Sequence, residues 1–156
     1  MGGSSKPNFS VKLATAPDPL PAYKFWVEIE SIVVAEFEEC SGIRLERDFE
    51  KVEEGGVNDH VHILPGRNKY TNIVLKRGMM LGNELWSWYQ EGLYDAKVKR
   101  VNFSILLRDV AGEVAKRWNV INGFPLKWEV NQLTSDSNKY AIETLEIAHD
   151  GITLGQ

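Results

Sequence analysis

Residues 53–78 read EEGGVNDHVHILPGRNKYTNIVLKRG and form a long polar segment between two predicted strands. The glycine pair at 55–56 accepts positive φ without a Cβ penalty, Asn58-Asp59 is a turn sequence, and Pro65-Gly66 predicts a second turn. Only a short extended piece, 61–64, is predicted between these turns. Because so long a loop has few apolar residues of its own, we expect it to contact another chain; a mobile surface hairpin without a partner is the alternative.

Alternation of apolar and polar residues predicts strands on both sides of this segment. The predicted strands are 23–29, 32–39, 43–49, 71–76, 101–108, 113–121, 126–133 and 140–149, with turns at 109–112, 122–125 and 134–138. One helix is predicted from Leu81 to Glu91, because Leu81, Leu85, Trp88 and Tyr89 form an apolar stripe. Many short strands without βαβ crossovers indicate a mainly β protein, a sandwich or barrel with exposed sheet edges.

Composition is typical of one soluble domain, with 156 residues, 43% hydrophobic residues and a formal net charge of −4. Residues 1–20 are small, polar and proline-rich, which predicts a flexible N-terminal arm ahead of a domain at 21–156. No apolar run approaches the roughly 20 residues that cross a bilayer, so no membrane insertion by this chain is expected. The acidic balance argues against nucleic-acid binding as the chain's own activity.

The sequence predicts no catalytic residue, no metal ligand and no cofactor, and therefore no enzyme. His60 and His62 would share one face of an extended segment, but a third ligand at suitable spacing is missing. The 22 acidic residues make carboxylate pairs inevitable by chance, so a solvated charged face explains them better than an acid–base pair. Cys40, the only cysteine, has no neighbouring histidine in the chain to activate it, and no nucleotide-binding fingerprint occurs.

Seven motifs resemble, in content and in order, the inner (tail) tube proteins of contractile injection systems, the group that includes contractile-phage tail tube proteins. The motifs are FEECSGI (37–43), EGGVN (54–58), LPGR (64–67), LKRG (75–78), LWSW (85–88), WNVINGFP (118–125) and AIETLEIAH (141–149). Together they cover roughly residues 23–151, whereas the first 20 residues match nothing in the family's pattern. The resemblance implies a small antiparallel β-sandwich or barrel with one flanking α-helix, whose sheets join edge to edge in a hexameric ring.

The resemblance also implies a mechanical role and a set of contact residues. Rings would stack into a rigid hollow tube, which a contracting sheath drives through the target envelope. The implied ring-stacking loop comprises Glu53, Glu54, Gly55, Gly56, Asn58, Asp59, Pro65, Gly66 and Arg67. The expected contacts between subunits are Lys76, Arg77, Trp86 and Trp88. The candidate lumen face comprises Asn102, Ser104 and Arg108.

The partners implied by the resemblance are further copies of the chain, a sheath protein, baseplate proteins, tube-initiator or terminator proteins, and effector cargo or phage DNA in the lumen. Assembly is expected in the cytoplasm, within a phage tail or an extracellular or membrane-anchored machine. Six copies carry 6 × −4 = −24 formal charges, which suggests the hypothesis of an acidic bore. The competing interpretation is a monomeric β-sandwich that binds a glycan or metal through His60, His62 and the Trp86/Trp88 pair.

Overall fold

Antiparallel strands dominate the computed structural model, which describes residues 25–29, 32–53, 55–56, 61–91, 97–131, 135 and 141–156. The elements are β1 Phe25–Ile29, β2 Ile32–Phe37, β3 Glu39–Ser41, β4 Leu45–Glu53, β5 Val61–Tyr70, β6 Ile73–Gly78, α1 Glu84–Gln90, β7 Val101–Arg108, β8 Val114–Val130, β9 Ile142–Ala148 and β10 Gly151–Leu154. These elements confirm the predicted mainly β fold with one flanking helix. The predicted arm at 1–20 lies outside the described residues, so its boundary with the domain stays a prediction.

Two sheets share the long strand β8. Sheet A has the strand order β2-β1-β7-β8-β10, and sheet B has the order β8-β9-β6-β3, with all pairs antiparallel. The first part of β8 pairs with β7 and β10, and its last part, from Phe124, pairs with β9. β8 thus carries the chain from one sheet to the other and fixes how the two sheets meet.

The predicted division of β8 into two strands with a turn at 122–125 is wrong. Asn122 adopts a positive φ of 50°, and the register shifts on both sides of it, so the strand bends without ending. The main-chain N–H of Asn122 donates to Asn102 Oδ1 at 2.9 Å, and its side-chain amide donates to Asp150 Oδ2 at 3.0 Å. These hydrogen bonds stabilise the irregular backbone at Asn122. Turn-forming residues adopt such backbone conformations within a strand as well as at its end.

The core lies between the two sheets and follows from period-two alternation along their strands. Its buried residues from the strands are Val27, Ala35, Phe37, Ile73, Leu75, Phe103, Ile105, Val120, Leu145, Ile147 and Ile152. Leu85 of α1 is 1% exposed and belongs to the same cluster. The core is thus built by alternating residues of both sheets and closed by the helix.

The helix is shorter than predicted. It begins at Glu84, and Leu81, which was predicted to start the apolar stripe, is fully exposed. The stripe therefore reduces to Leu85 in the core and Trp88, whose ring meets Phe103 edge-on with centroids 5.6 Å apart. Gly82 and Asn83 precede the helix, and neither residue favours helix interiors.

Strand boundaries differ from prediction elsewhere as well, and the strand predicted at 71–76 is found at Ile73–Gly78. The predicted strand 32–39 is divided at Glu38, whose N–H donates to the Lys76 carbonyl oxygen at 2.9 Å. The predicted strand 43–49 begins at Leu45 and runs on to Glu53. The short strand β10 was not predicted, because four residues, one of them glycine, are too few to show a period.

Candidate assembly interface

The β4–β5 hairpin forms a two-stranded sheet of its own, paired from Leu45↔Tyr70 at its base to Glu53↔Val61 near its tip. The predicted turn at Pro65-Gly66 is therefore wrong, since both residues lie inside β5, and the predicted piece 61–64 is only part of that strand.

Gly66 and Arg67, which directly follow Pro65, form a β-bulge. Arg47 pairs with Asn68 and Phe49 with Pro65, so two residues of β5, Gly66 and Arg67, oppose the single residue Asp48. Proline, which lacks an N–H donor, is tolerated at such an irregularity on a narrow sheet. The bulge bends the hairpin in the middle of the segment that was predicted to stack rings.

The turn predicted at the glycine pair is found at the tip of this hairpin. Gly55 and Gly56 lie in a turn, and Gly56 has a φ of +109°, which glycine adopts without strain. Of the other predicted stacking residues, Glu53 ends β4, whereas Glu54, Asn58 and Asp59 lie outside the described residues. Their contacts with another ring stay a prediction.

One face of the hairpin is uncovered and mixed in character, since it carries Arg47, Lys51 and Glu53 among apolar residues. Because directly opposed residues share a face, five apolar residues, Leu45, Phe49, Val61, Ile63 and Pro65, lie on this side of the two-stranded sheet. We call these five residues the apolar hairpin face. Phe49 and Ile63 are 61% and 63% exposed, and every side chain of β4 and β5 is exposed except that of Tyr70, which is half-buried. Contiguous exposed apolar residues of this kind mark an interaction surface.

The opposite face of the hairpin is also mixed. It carries the charged residues Glu46, Asp48, Glu50 and Lys69, and beside them Val52, His62 and Leu64. Lys69 Nζ lies 2.7 Å from Asp48 Oδ1, and this hydrogen bond and charge raise the pKa of the lysine. Both faces of the hairpin thus mix apolar and charged side chains, and the described chain covers neither face.

Among the predicted subunit contacts, Arg77 has its charge satisfied inside the chain. Its side chain is 4% exposed; Nε donates to Glu143 Oε2 at 3.0 Å, and a terminal nitrogen lies 3.3 Å from Glu84 Oε2. The indole N–H of Trp128 donates to the other oxygen of Glu143 at 2.6 Å. This network joins β6, β9, β8 and α1. Alternation with the buried Ile73 and Leu75 could have placed Arg77 on the core side.

Lys76, Trp86 and Trp88 differ in how far they are available for contacts. Lys76 is 40% exposed and pairs with Glu39 at 3.2 Å. Trp86 is 37% exposed and meets the Trp128 ring edge-on at 4.7 Å, whereas Trp88 is half-buried. Lys76 and Trp86 therefore offer surface to a neighbouring subunit, and Trp88 mainly supports the core.

Asn102, Ser104 and Arg108, the candidate lumen face, lie together on the side of β7 that faces away from the core cluster. Ser104 Oγ donates to Asn119 Oδ1 at 2.8 Å, and the Arg108 guanidinium lies 4.9 Å from the Trp26 ring centroid. The structure thus brings the three predicted residues to one sheet face. Their exposure to a lumen stays a prediction.

The alternative binding site draws little support from the described residues. His60 lies outside them, and His62 is exposed on the hairpin. In the part of the chain that the structure describes, no three His, Cys, Asp or Glu side chains are grouped as metal ligands would be. Burial raises the pKa of the Cys40 thiol to about 12. None of the described helices is both long and apolar enough to span a membrane.

Comparison with known proteins identifies the fold and the family. The chain resembles a chain of the sheath–tube complex of PVC, an extracellular contractile injection system (26% identity, TM-score 0.77, covering 90% of this chain and 93% of the other). It resembles equally a chain of the cap that terminates the tube of the anti-feeding prophage (26% identity, TM-score 0.79, covering 95% and 98%). Hcp1 from Flavobacterium johnsoniae shares the fold at 12% identity, with a TM-score of 0.52 and coverage of 85% and 95%.

A search of curated proteins found no match. A family model described as "T4-like virus tail tube protein gp19" matches residues 21–153. This match and the structural similarity confirm the predicted resemblance and favour a structural role over ligand binding. The chain belongs to the T4-like virus tail tube protein gp19 family and is a structural component of a phage-tail-like tube.

Proposed function

We propose that this protein assembles as hexameric rings, which stack into the rigid inner tube of a contractile phage tail or a phage-derived injection system. The observation that carries the proposal is the apolar hairpin face, which a second copy would cover. Its β-hairpin is paired from Leu45↔Tyr70 to Glu53↔Val61, and the described chain covers neither of its faces. The family match supports a tube, and the hairpin supplies a means of joining its subunits.

Burying the apolar hairpin face would contribute a substantial free energy to association between subunits. Leu45, Phe49, Val61 and Ile63 are each more than half exposed. Full burial of a large apolar side chain contributes about 1.5–3 kcal/mol, and covering only the exposed fractions of these four residues supplies about 4–7 kcal/mol before the cost of association. Because each subunit of a ring would make such a contact, many of them would act together when the tube is driven forward.

Sheet edges offer a second kind of contact within a ring. Among the described strands, β2 and β10 are the edges of sheet A, and each leaves main-chain N–H and C=O groups without a strand partner on one side. Pairing β2 of one copy with an edge of the next would satisfy these groups and close a ring. Lys76 and Trp86 are proposed as further side-chain contacts between copies.

The wider assembly follows by analogy with the similar complexes. One similar chain belongs to a sheath–tube complex and another to a tube-terminating cap, so a sheath and a terminator are proposed partners, as are baseplate and initiator proteins. The tube would be assembled in the cytoplasm and would conduct effector cargo or phage DNA when sheath contraction drives it through an envelope. Its work is mechanical, and we propose no catalytic step for it.

Negative-stain electron microscopy of the purified chain at several concentrations, together with its mass in solution, tests this proposal. Six-fold rings or hollow rods of uniform width are the expected result. A monomer of 17.7 kDa at every concentration would contradict self-assembly through the hairpin and the sheet edges. Replacing Gly55 by valine serves as a local probe, since a Cβ there meets no neighbouring atom within 4 Å in the monomer, whereas valine at Gly56 would strain the backbone at its φ of +109°.

A further inference from the structure

The connection between β6 and α1 presents three consecutive apolar side chains to solvent. Met79, Met80 and Leu81 are 50%, 58% and 104% exposed, and we call these three residues the 79–81 loop. Because Leu81 is fully exposed, it fills no pocket of its own copy. Contiguous exposed apolar residues of this kind mark an interaction surface.

An apolar groove lies near the last turn of α1, where the helix faces the bend of β8. Its lining is mainly apolar and consists of Trp88, Tyr89, Val98, Phe124, Pro125 and Leu126, with Glu91 and Lys99. We call it the Leu126 groove. Val98 and Leu126 are 51% and 43% exposed, so the groove is open to solvent. Its volume of about 240 Å³ is below the roughly 300–1,000 Å³ of small-molecule sites, and therefore fits one or two side chains of a protein partner.

The loop and the groove are too far apart to meet within one copy. The Met79 N–H donates to the Ala141 carbonyl oxygen at 2.8 Å, and the Asn131 N–H donates to that of Ile142 at 2.9 Å. The loop thus lies level with Asn131, which is 131 − 126 = 5 residues beyond Leu126 along the chain. At about 3.3 Å per residue, the separation is at least about 16 Å. Another copy would have to bring the two surfaces together.

The 79–81 loop is bordered by negative charge. The Glu84 side chain lies beside Gly82, the residue that follows the loop, and a hydrogen bond from its own main-chain N–H lowers its pKa. Glu84 shares Arg77 with Glu143, so this group has one base and two acids and a formal charge of 1 − 2 = −1.

The Leu126 groove is bordered by positive charge. Lys97 and Lys99 are both exposed on the segment that leads along it, and Glu91 is the acid at its rim. These three residues have a formal charge of 2 − 1 = +1. Opposite charges at the borders of two apolar surfaces favour their encounter and fix their relative orientation.

Resting on the proposed self-assembly, we infer that the 79–81 loop of one copy inserts into the Leu126 groove of a second copy, with Leu81 as the anchor. The contact is heterologous, because it joins two different surfaces of the same chain. Each copy offers one loop and one groove, so the contact repeats from copy to copy and does not end at a dimer. A loop of three residues covers only part of the roughly 1,200–2,000 Å² of a stable interface, so this contact acts together with the hairpin and the sheet edges.

Disulfide cross-linking of the full chain carrying both Leu81→Cys and Leu126→Cys tests the contact. A disulfide needs Cα atoms about 4.4–6.8 Å apart, so the two cysteines of one copy cannot bridge each other and every link joins two copies. Mild oxidation under assembly conditions is expected to give a ladder of products beyond the dimer on a non-reducing gel. A 1:1 mixture of the two single variants should stop at the dimer, since each chain then has one new cysteine.

Two controls accompany the cross-linking. Native Cys40 is present in every variant and contributes little, because burial raises its pKa to about 12 and leaves almost no thiolate. The matched double variant carries Leu81→Cys with Val110→Cys, whose site is 79% exposed but lies in the turn between β7 and β8. This variant should give no ladder.

A substitution at the anchor measures how much the contact contributes. Leu81→Ser should raise the concentration at which rods appear on the order of 10- to 100-fold, because the whole side chain is available for burial. Val110→Ser, also at an exposed apolar residue, should shift it by less than about threefold. Urea unfolding of the monomer should be unchanged in both variants.

The outcomes separate this inference from the proposed function. Failure of the unsubstituted chain to form rings or rods overturns the proposed tube itself. If that chain assembles but the Leu81→Cys/Leu126→Cys variant gives no ladder, or only a dimer, the tube stands and the heterologous contact is overturned. Unchanged assembly of a folded Leu81→Ser variant overturns it as well and leaves the groove for a different protein.

Discussion

Phe49 is the residue through which the assembly proposal is most directly tested. A phenylalanine buries about 200 Å² when fully covered, and the side chain is 61% exposed, so a partner could cover about 120 Å². At about 25 cal/mol per Å² this is worth about 3 kcal/mol per contact. Phe49→Ser should therefore raise the concentration at which rods appear by about 100-fold, since each 1.4 kcal/mol is a factor of ten.

The assay is sedimentation of rods across a concentration series, with urea unfolding of the monomer measured in parallel. Leu64→Ser is the matched control, because Leu64 is also exposed on the hairpin, at 51%, but lies opposite Glu50 on the other face of the hairpin. We expect it to shift assembly by less than tenfold. Neither substitution should change monomer stability by more than about 0.5 kcal/mol. Unchanged assembly of Phe49→Ser, or an equal effect of Leu64→Ser, would refute the assignment of the apolar hairpin face.

Three further predictions concern the fold itself. Glu143→Gln removes the buried counter-charge of Arg77 and should lower the free energy of unfolding by about 3 kcal/mol, with partial recovery in the double variant carrying Arg77→Met as well, both measured in urea. Gly42→Ala should destabilise the protein far more than Gly112→Ala, for which we expect a loss of about 1–2 kcal/mol. Both glycines have φ near +85°, but only at Gly42 would the new Cβ meet a carbonyl oxygen, at 1.9 Å. Equal losses of stability in thermal unfolding would contradict this reason. Cys40 has a folded pKa raised from 9.0 to about 12, so its contribution to stability is present below pH 9 and is lost as the pH rises from 9 towards 12; native alkylation at pH 8 as fast as in urea would disprove the burial argument.

The parts of the fold that follow from period-two alternation were predictable from sequence. The strand 101–108 is found with the predicted boundaries, and Phe103 and Ile105 are buried as the pattern requires. Local turn chemistry was less reliable. Pro65-Gly66 and the segment 122–125 both carry turn residues, but one forms a bulge and the other a bend within a strand. Turn propensity specifies an irregular backbone, and pairing on either side decides whether the strand ends there.

Arg77 shows why candidate contact residues are harder to predict than strands. A charged residue in a run such as LKRG is expected at the surface on composition alone. Its burial depends on Glu143, which lies 66 residues away in the chain, and on Trp128, and a single sequence does not reveal such a pairing. By contrast, Lys76 lies on the opposite face of the same strand and keeps 40% of its side chain exposed.

The hairpin shows how alternation can indicate assembly. Leu45 and Phe49 lie on one face of β4, as the apolar residues of a half-buried strand would, yet they are 68% and 61% exposed. An isolated two-stranded hairpin is only marginally stable in water, so strands of nine and ten residues that project from the domain need a further surface to pack against. In a tube, the neighbouring copy of the protein would supply that surface. Apolar strand residues that stay exposed in the monomer, such as Leu45 and Phe49, are thus evidence that assembly completes the fold.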